Sequence, residues 1–263
     1  MEYKKNWYRG HSKCYGNLTP RIFREEFNSD LHQTVSDNLE IDVAHEFKRI
    51  APSLSTSLPK SDDYLSWLIL MQHHGTPTRL LDWSQNILVA TFFAVSDNVD
   101  EDGEIWTFYP QYLNNASVGV SGFPTESNPF LRDLALDPFM ATTKNEEGKK
   151  PLAFFPIMAF SRMTAQQSVF TIHPKPDGQN SMEAVLTMIE NDPEIEIAQN
   201  VRRQIIDSFS IPKSAKREIL DSLITLGVSY RTLFPDLDHL SMDFVQKYKN
   251  PFWNVWGQPA RKL

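Results

Sequence analysis

The chain has a single cysteine, Cys14, among 263 residues. One thiol excludes an intrachain disulfide, leaves no Cys-rich zinc site, and suits a reducing compartment. Lys13 beside it is too little to activate a thiol, so Cys14 reads as structural. Glycine is also scarce, at 10 residues. There is no Walker-type phosphate loop, no dinucleotide fingerprint and no Gly-x-Ser-x-Gly elbow, which argues against three widespread enzyme designs. His-Glu-x-x-His is absent too. The neighbours His73 and His74 would project about 100° apart on a helix, so no metal site is expected. No apolar run approaches the ~20 residues of a membrane span; the longest, near Ile87–Val95, is broken by Thr91. No apolar stretch follows Met1-Glu2-Tyr3-Lys4-Lys5, so neither a signal peptide nor membrane association is expected, and the chain reads as cytoplasmic.

Basic charge is in deficit as well. With 26 Lys and Arg against 33 Asp and Glu, the net charge is −7. Broad nonspecific binding to nucleic acid or anionic membrane is therefore not expected. The short basic groups Lys48/Arg49, Lys149/Lys150, Arg202/Arg203 and Lys213/Lys216/Arg217 read as solvated faces.

What is present suffices for a core: 41% of residues are apolar and 12% aromatic. The pattern predicts an α+β fold, a single compact domain over 1–263 with a central mixed or split β-sheet flanked by helices. Lys5–Arg9 reads as a short strand ended by Gly10, and Arg21–Phe27 and Val43–Ile50 as short helices. Asp62 or Asp63 can cap a helix running to about His74. Its residues Tyr64, Leu65 and Trp67–Met71 are apolar on nearly all faces, the mark of a buried helix that delivers Gln72 and His73 into the interior or to a cleft wall. Leu80–Trp83 reads as a short buried connector or strand, and Ser84 as the cap of a helix over about Gln85–Val95. Glu104–Tyr109, Phe154–Phe160 and Val169–His173 read as strands, with Pro156 confining the second to an edge. Residues 110–150, rich in Asn, Ser, Gly and Pro, are expected to be a loop or insertion, and 183–263 to be mainly helical. Lys213–Leu226 carries one apolar stripe and stops at Gly227.

The densest chemistry lies in Gln72–Ser84. These 13 residues pack an amide, two imidazoles, a guanidinium, a carboxylate, an indole and three hydroxyls between apolar flanks. Buried polar groups are costly unless satisfied. Taken singly, they could satisfy each other, with Arg79 and Asp82 as a buried ion pair. Taken together, they exceed what stability needs. Two further features stand out. Tyr8-Arg9-Gly10 can place a guanidinium at a cleft mouth, where its planar fork suits phosphate and Gly10 lets backbone approach closely. Arg162 to Phe170 offers paired amides, Gln166 and Gln167, before a strand, suited to an amide or ribose ligand or to a solvated loop.

In this order, the features resemble the FRG domain family, named for a Phe/Tyr-Arg-Gly motif. Its second signature, Gln-His-x-Gly-x-Pro-Thr-Arg-Leu-Leu-Asp-Trp-Ser/Thr before an apolar helix ending Phe-Phe-Ala, is similar to Gln72–Ala94. Its third, Arg-x-x-x-Gln-x-Gly-x-Phe, is similar to Arg162, Gln166 and Phe170, with Ser168 in place of Gly. Its Leu-Phe-Pro-Asp-Leu-Asp appears at Leu233–Asp238. The family's occurrence in bacteria and phages implies a toxin or defence role, in which an antitoxin or other protein partner would fit.

A looser likeness, to ADP-ribosyltransferases, implies NAD as substrate. Arg9, Ser84 and Gln166 would fill the places of the NAD-anchoring Arg, the supporting Ser and the Glu that orients the attacking group. On that reading Arg9 holds the pyrophosphate, with Gly10, Arg79 and Ser84 beside it. His73 bonds ribose, Tyr8 or Trp83 stacks on nicotinamide, and Gln166 or Asp82 serves the acceptor. The alternative is a noncatalytic module recognising a nucleotide or a protein. A third reading is hydrolysis or nuclease activity by His73 with Asp82.

Overall fold

The computed structural model describes residues 6–28, 39–140, 148–191 and 205–249. The Arg202/Arg203 pair, Met1–Lys5 and the last part of the predicted helical third lie outside the described residues. Among them the backbone forms a six-stranded sheet: β1 (Trp7–His11), β2 (Leu80–Ser84), β3 (Gly103–Phe108), β4 (Leu152–Phe154), β5 (Ser168–Ile172) and β6 (Ile206–Ile211), in the order β4-β5-β2-β1-β3-β6. Every pairing is antiparallel, so the expected mixed or split sheet is one continuous antiparallel sheet. The helices are α1 (Glu25–Asn28), α2 (Leu39–Ile50), α3 (Tyr64–His73), α4 (Ile87–Val95), α5 (Pro110–Val118), α6 (Pro129–Leu136), α7 (Ser161–Ala165), α8 (Met182–Glu190), α9 (Lys213–Thr225), α10 (Tyr230–Leu233) and α11 (Leu237–Lys249).

Strand alternation sorts the core into layers. On β2, Leu80 packs with α3 and α6, while Leu81 and Trp83 face the opposite layer, which α5 and α8 cover. On β1, Trp7 joins that opposite layer and Tyr8 packs toward α4 and α9. One face of the sheet thus carries two separate helical groups: α2, α3 and α6 over the β4-β5-β2 half, and α4 and α9 over the β1-β3-β6 half. The seam between them falls on β1 and β2. These strands share one registered pair, Tyr8 with Ser84, whereas β1 and β3 share five.

The two helices that flank the seam start on side-chain caps. Asp63 accepts a hydrogen bond from Ser66 N (3.1 Å), and α3 then buries Leu65 and Trp67–Met71 before Gly75, at φ +78°, ends the turn. The cap of α4 is Asn86, which accepts from Leu88 N (3.0 Å), not Ser84; Ser84 accepts from Asn86 N and so holds the cap.

Four other expectations change. Gly10 lies inside β1 rather than ending it, because a Cβ there would fall 1.8 Å from the Ala90 carbonyl oxygen of α4. Residues 110–150 carry α5 and α6, not a loop, since Pro110 and Pro129 sit in first turns where no backbone N–H is required. The helical third contains the edge strand β6. Two basic groups are not solvated: Lys216 is buried and donates to the carbonyls of Ser12, Asp97 and Asn98, while Lys149 pairs with buried Asp137. Cys14 is exposed. No helix among the described residues is long and apolar enough to cross a membrane.

Candidate functional site

A cleft of about 230 Å³ opens at the seam. Tyr8, Arg9 and Gly10 of β1 form one side, and Gln72 and His73 at the end of α3 another. Asp82, Trp83 and Ser84 of β2 form the floor, with Arg162 of α7 and Gln166 beside the start of β5 closing it. Of the residues given a ligand or catalytic role in the sequence reading, Arg79 alone is elsewhere.

Arg9 owes its position to the short β1–β2 pairing. Past Tyr8 and Ser84, the Asp82 carbonyl accepts a hydrogen bond from Arg9 Nη1 (2.6 Å), so a guanidinium stands where ladder pairing has stopped. The same nitrogen lies 3.8 Å from the Asp82 carboxylate, and Arg9 Nε donates to His11 Nε2 (2.8 Å). Burial pulls the Arg9 pKa down to about 10, opposed by Asp82, so the group stays cationic at neutral pH. His11 is neutral: burial, then the charges of Arg9 and Arg24, push it down to about 2. Because Nε2 accepts from Arg9, the His11 proton belongs on Nδ1, which faces Glu104 Oε2 at 3.6 Å across β3.

Asp82 is the one carboxylate among the described residues lining the cleft, and its side chain is 51% exposed. Gln72 Nε2 donates to it. The orientation of that amide is fixed from behind: Thr78 Oγ1 donates to Gln72 Oε1 (2.6 Å) and accepts from Leu80 N (3.1 Å). His73 stacks flat on Phe160, with centroids 4.1 Å apart at 9°. Burial, then Arg162 and His74, lower its pKa against the opposing pull of Asp82, so the ring is neutral near pH 7.

Ser84 and Gln166 line the cleft but are committed to the protein. Ser84 Oγ donates to the Gln166 carbonyl (2.7 Å), and Gln166 Nε2 donates to the Leu233 carbonyl (3.1 Å). Gln166 is 9% exposed. The left-handed residue of this turn is Gln167, at φ +48°, while Ser168 is ordinary strand opposite Ser84. The turn therefore does not require glycine at 168.

Two expected ligand contacts are corrected. The Trp83 ring points to the far layer, donating Nε1 to Thr171 Oγ1 (3.0 Å) and packing 4.5 Å from Phe108, so only Tyr8 of the two stacking candidates faces the cleft. Arg79 does not pair with Asp82. Side chains three apart in extended backbone point to opposite faces, and Arg79 enters a cage of Glu40 (2.7 and 2.8 Å), Asp137 (3.3 Å) and the Leu134 carbonyl (3.4 Å).

Two contributors have no ligand role in the sequence reading: Gln72 and Arg162. Each heads a motif, Gln72 the central block and Arg162 the stretch before β5, and that leading position was the available signal. The Leu233–Asp238 motif braces the wall from outside the cleft. Leu233 holds Gln166, and the Phe234 ring lies under the Arg162 guanidinium (4.3 Å) and against His239 (4.2 Å, 11°). Among the described residues, no group of three or more His, Cys, Asp or Glu is placed to hold a metal ion.

Residues 4–103 match the family model of the FRG domain. Over this stretch, less than half of the chain, the sequence is similar to the FRG domain. Within it lie β1, α3, β2 and α4, hence Arg9, Gln72, His73 and Asp82; the FRG match ends before Arg162 and Gln166. No curated protein and no solved structure matches the chain.

Proposed function

We propose that the FRG-domain cleft binds NAD as a substrate and transfers its ADP-ribose to an acceptor. The observation that carries this reading is the meeting of Arg9, Asp82 and His73, from β1, β2 and the end of α3, on one cleft. Arg9 is braced through Nε and Nη1, and its Nη2 has no protein acceptor among the described residues, leaving it for a phosphate oxygen. Breaking the bond between nicotinamide and ribose leaves its electron pair on nicotinamide and positive charge on the sugar. A nearby carboxylate stabilises such an oxocarbenium-like state, a role for Asp82. The acceptor then bonds to the same ribose carbon, and its proton passes to neutral His73. Tyr8 stacks on the nicotinamide. A toxin or phage-defence role, and control by an antitoxin, would rest on this transfer.

A second reading, a noncatalytic nucleotide- or protein-binding module, is favoured by one observation: Ser84 Oγ and Gln166 Nε2 both donate to protein carbonyls. Calorimetry with NAD and an assay of released nicotinamide, both on the full chain, separate the readings. The expected result is binding at millimolar NAD or below, with release that falls about 100-fold in Asp82→Asn. Binding without release leaves the module; no binding by a folded chain removes NAD altogether.

A further inference from the structure

Arg162 is the cleft residue whose chemistry is least spent. Its guanidinium lies over the Phe234 ring at 4.3 Å, and that ring is itself backed by His239. The ring supplies no oxygen or nitrogen acceptor for the fork. Among the described residues nothing accepts a hydrogen bond from it and no carboxylate pairs with it, although it is partly buried and lines the cleft. Arg79, by contrast, has carboxylate and carbonyl partners on both terminal nitrogens. A desolvated guanidinium with idle donors costs stability unless something supplies acceptors, and a planar fork matches two oxygens of one phosphate.

The field in the cleft agrees. Arg9 and Arg162 both feel Asp82, and Arg162 helps to keep His73 neutral, so the two cations and the carboxylate share one enclosure. Of the charged groups that line the cleft, two are cations and one is a carboxylate, in a chain of net charge −7; Asp236, outside the lining, also acts on Arg162. The forks stand on different walls, β1 and α7, so one phosphate on each is the arrangement that uses both.

We infer that Arg162 is a second anion-binding residue and that the cleft takes a diphosphate, with one phosphate on Arg9 and the next on Arg162. This deepens the NAD reading and rests on it for the nucleotide. It also gives a specificity that the reading lacks: nucleoside diphosphates are preferred over monophosphates, whatever follows chemically.

The test is calorimetric titration of the full chain with ADP and with AMP, with thermal unfolding as a check on folding. Wild type should bind ADP at least about tenfold more tightly than AMP, the worth of one charge-assisted contact. Arg162→Ala should bring ADP down to the AMP level and leave AMP little changed. Arg162→Lys, which keeps the charge without the fork, should fall between. Arg162→Gln, closer in bulk, replaces the alanine variant if that one does not fold. Equal binding of ADP and AMP by wild type, an equal loss of both in the variant, or binding of neither overturns the inference. If the preference for ADP depends on Arg162 but no nicotinamide is released from NAD, only the transfer reading fails. If release proceeds and the preference ignores Arg162, only this inference fails.

Discussion

Arg79 and Arg9 both belong to the motifs that drew attention in the sequence, and they meet different surroundings. Arg79 is 2% exposed, and Glu40, Asp137 and the Leu134 carbonyl engage its nitrogens. Asp137 takes Lys149 as well, at 2.6 Å, so the charges of the cage are shared out among protein groups. Arg9 is 16% exposed on its side chain and is held by a neutral imidazole and a carbonyl, neither of which neutralises it. Asp82, at 3.8 Å, is a loose partner, half in solvent. A guanidinium satisfied by carboxylates holds elements together, here the start of β2 against α2 and α6. One held by neutral acceptors keeps its charge for something outside the protein.

The largest test of this contrast is Arg79→Met. Removing one member of a buried charge cluster strands the others, at a cost of about 3–5 kcal/mol. Urea unfolding should show a loss of that order; a loss below ~1 kcal/mol would mean that the cage does not hold the fold. Next is Arg9→Ala, which should weaken NAD or ADP binding about 10- to 100-fold, the worth of a hydrogen bond to a charged group. Its melting temperature should stay within a few degrees of wild type, a shift of roughly 1 kcal/mol. A large drop in melting temperature with unchanged affinity would turn Arg9 into a second Arg79.

The smallest effect concerns His173, which is buried, lies 2.8 Å from Thr171 Oγ1, and feels both arginines. Burial first, then Arg9 and Arg79, push its pKa from 6.5 down to about 3. Between those values the unfolded chain takes up a proton that the folded chain refuses, so stability falls as the solution is acidified and is unaffected above neutrality. The slope should be about 1.4 kcal/mol per pH unit from this residue. Denaturation at neutral pH and at two mildly acid points should show His173→Gln shallower by that amount. An unchanged slope would mean that the histidine already titrates in the folded chain.

The central block was legible because its signals are local. An apolar helix behind an Asp cap, a turn at Gly75 and a strand over Leu80–Trp83 all formed as their sequence predicts. The misreadings were long-range. Composition read 110–150 as loop, since a proline in a first turn is indistinguishable by count from one in a coil. Gly10 read as a terminator because the helix that passes over it lies 80 residues along the chain. Arg79 and Asp82 looked like partners by proximity, and extended backbone sent them to opposite sides. The cleft itself is half legible. Arg9, His73 and Asp82 meet as the sequence suggests, but the commitment of Gln166 and the placing of Arg162 depend on the C-terminal segment that packs behind them.

Gly10 and Gly103 both lie beneath α4, where an added Cβ would meet the carbonyl oxygens of Ala90 and Ala94 at 1.8 and 2.3 Å. At Gly10, which lines the cleft, the wall is main chain laid on main chain, with no side chain between that could change rotamer. Such a wall has little conformational entropy to surrender when a guest arrives, and little capacity to adapt to a guest of another shape. The cleft is thus a rigid mould at Gly10, and any adjustment to a ligand must come from the side chains around it, Tyr8, Arg9, His73 and Arg162.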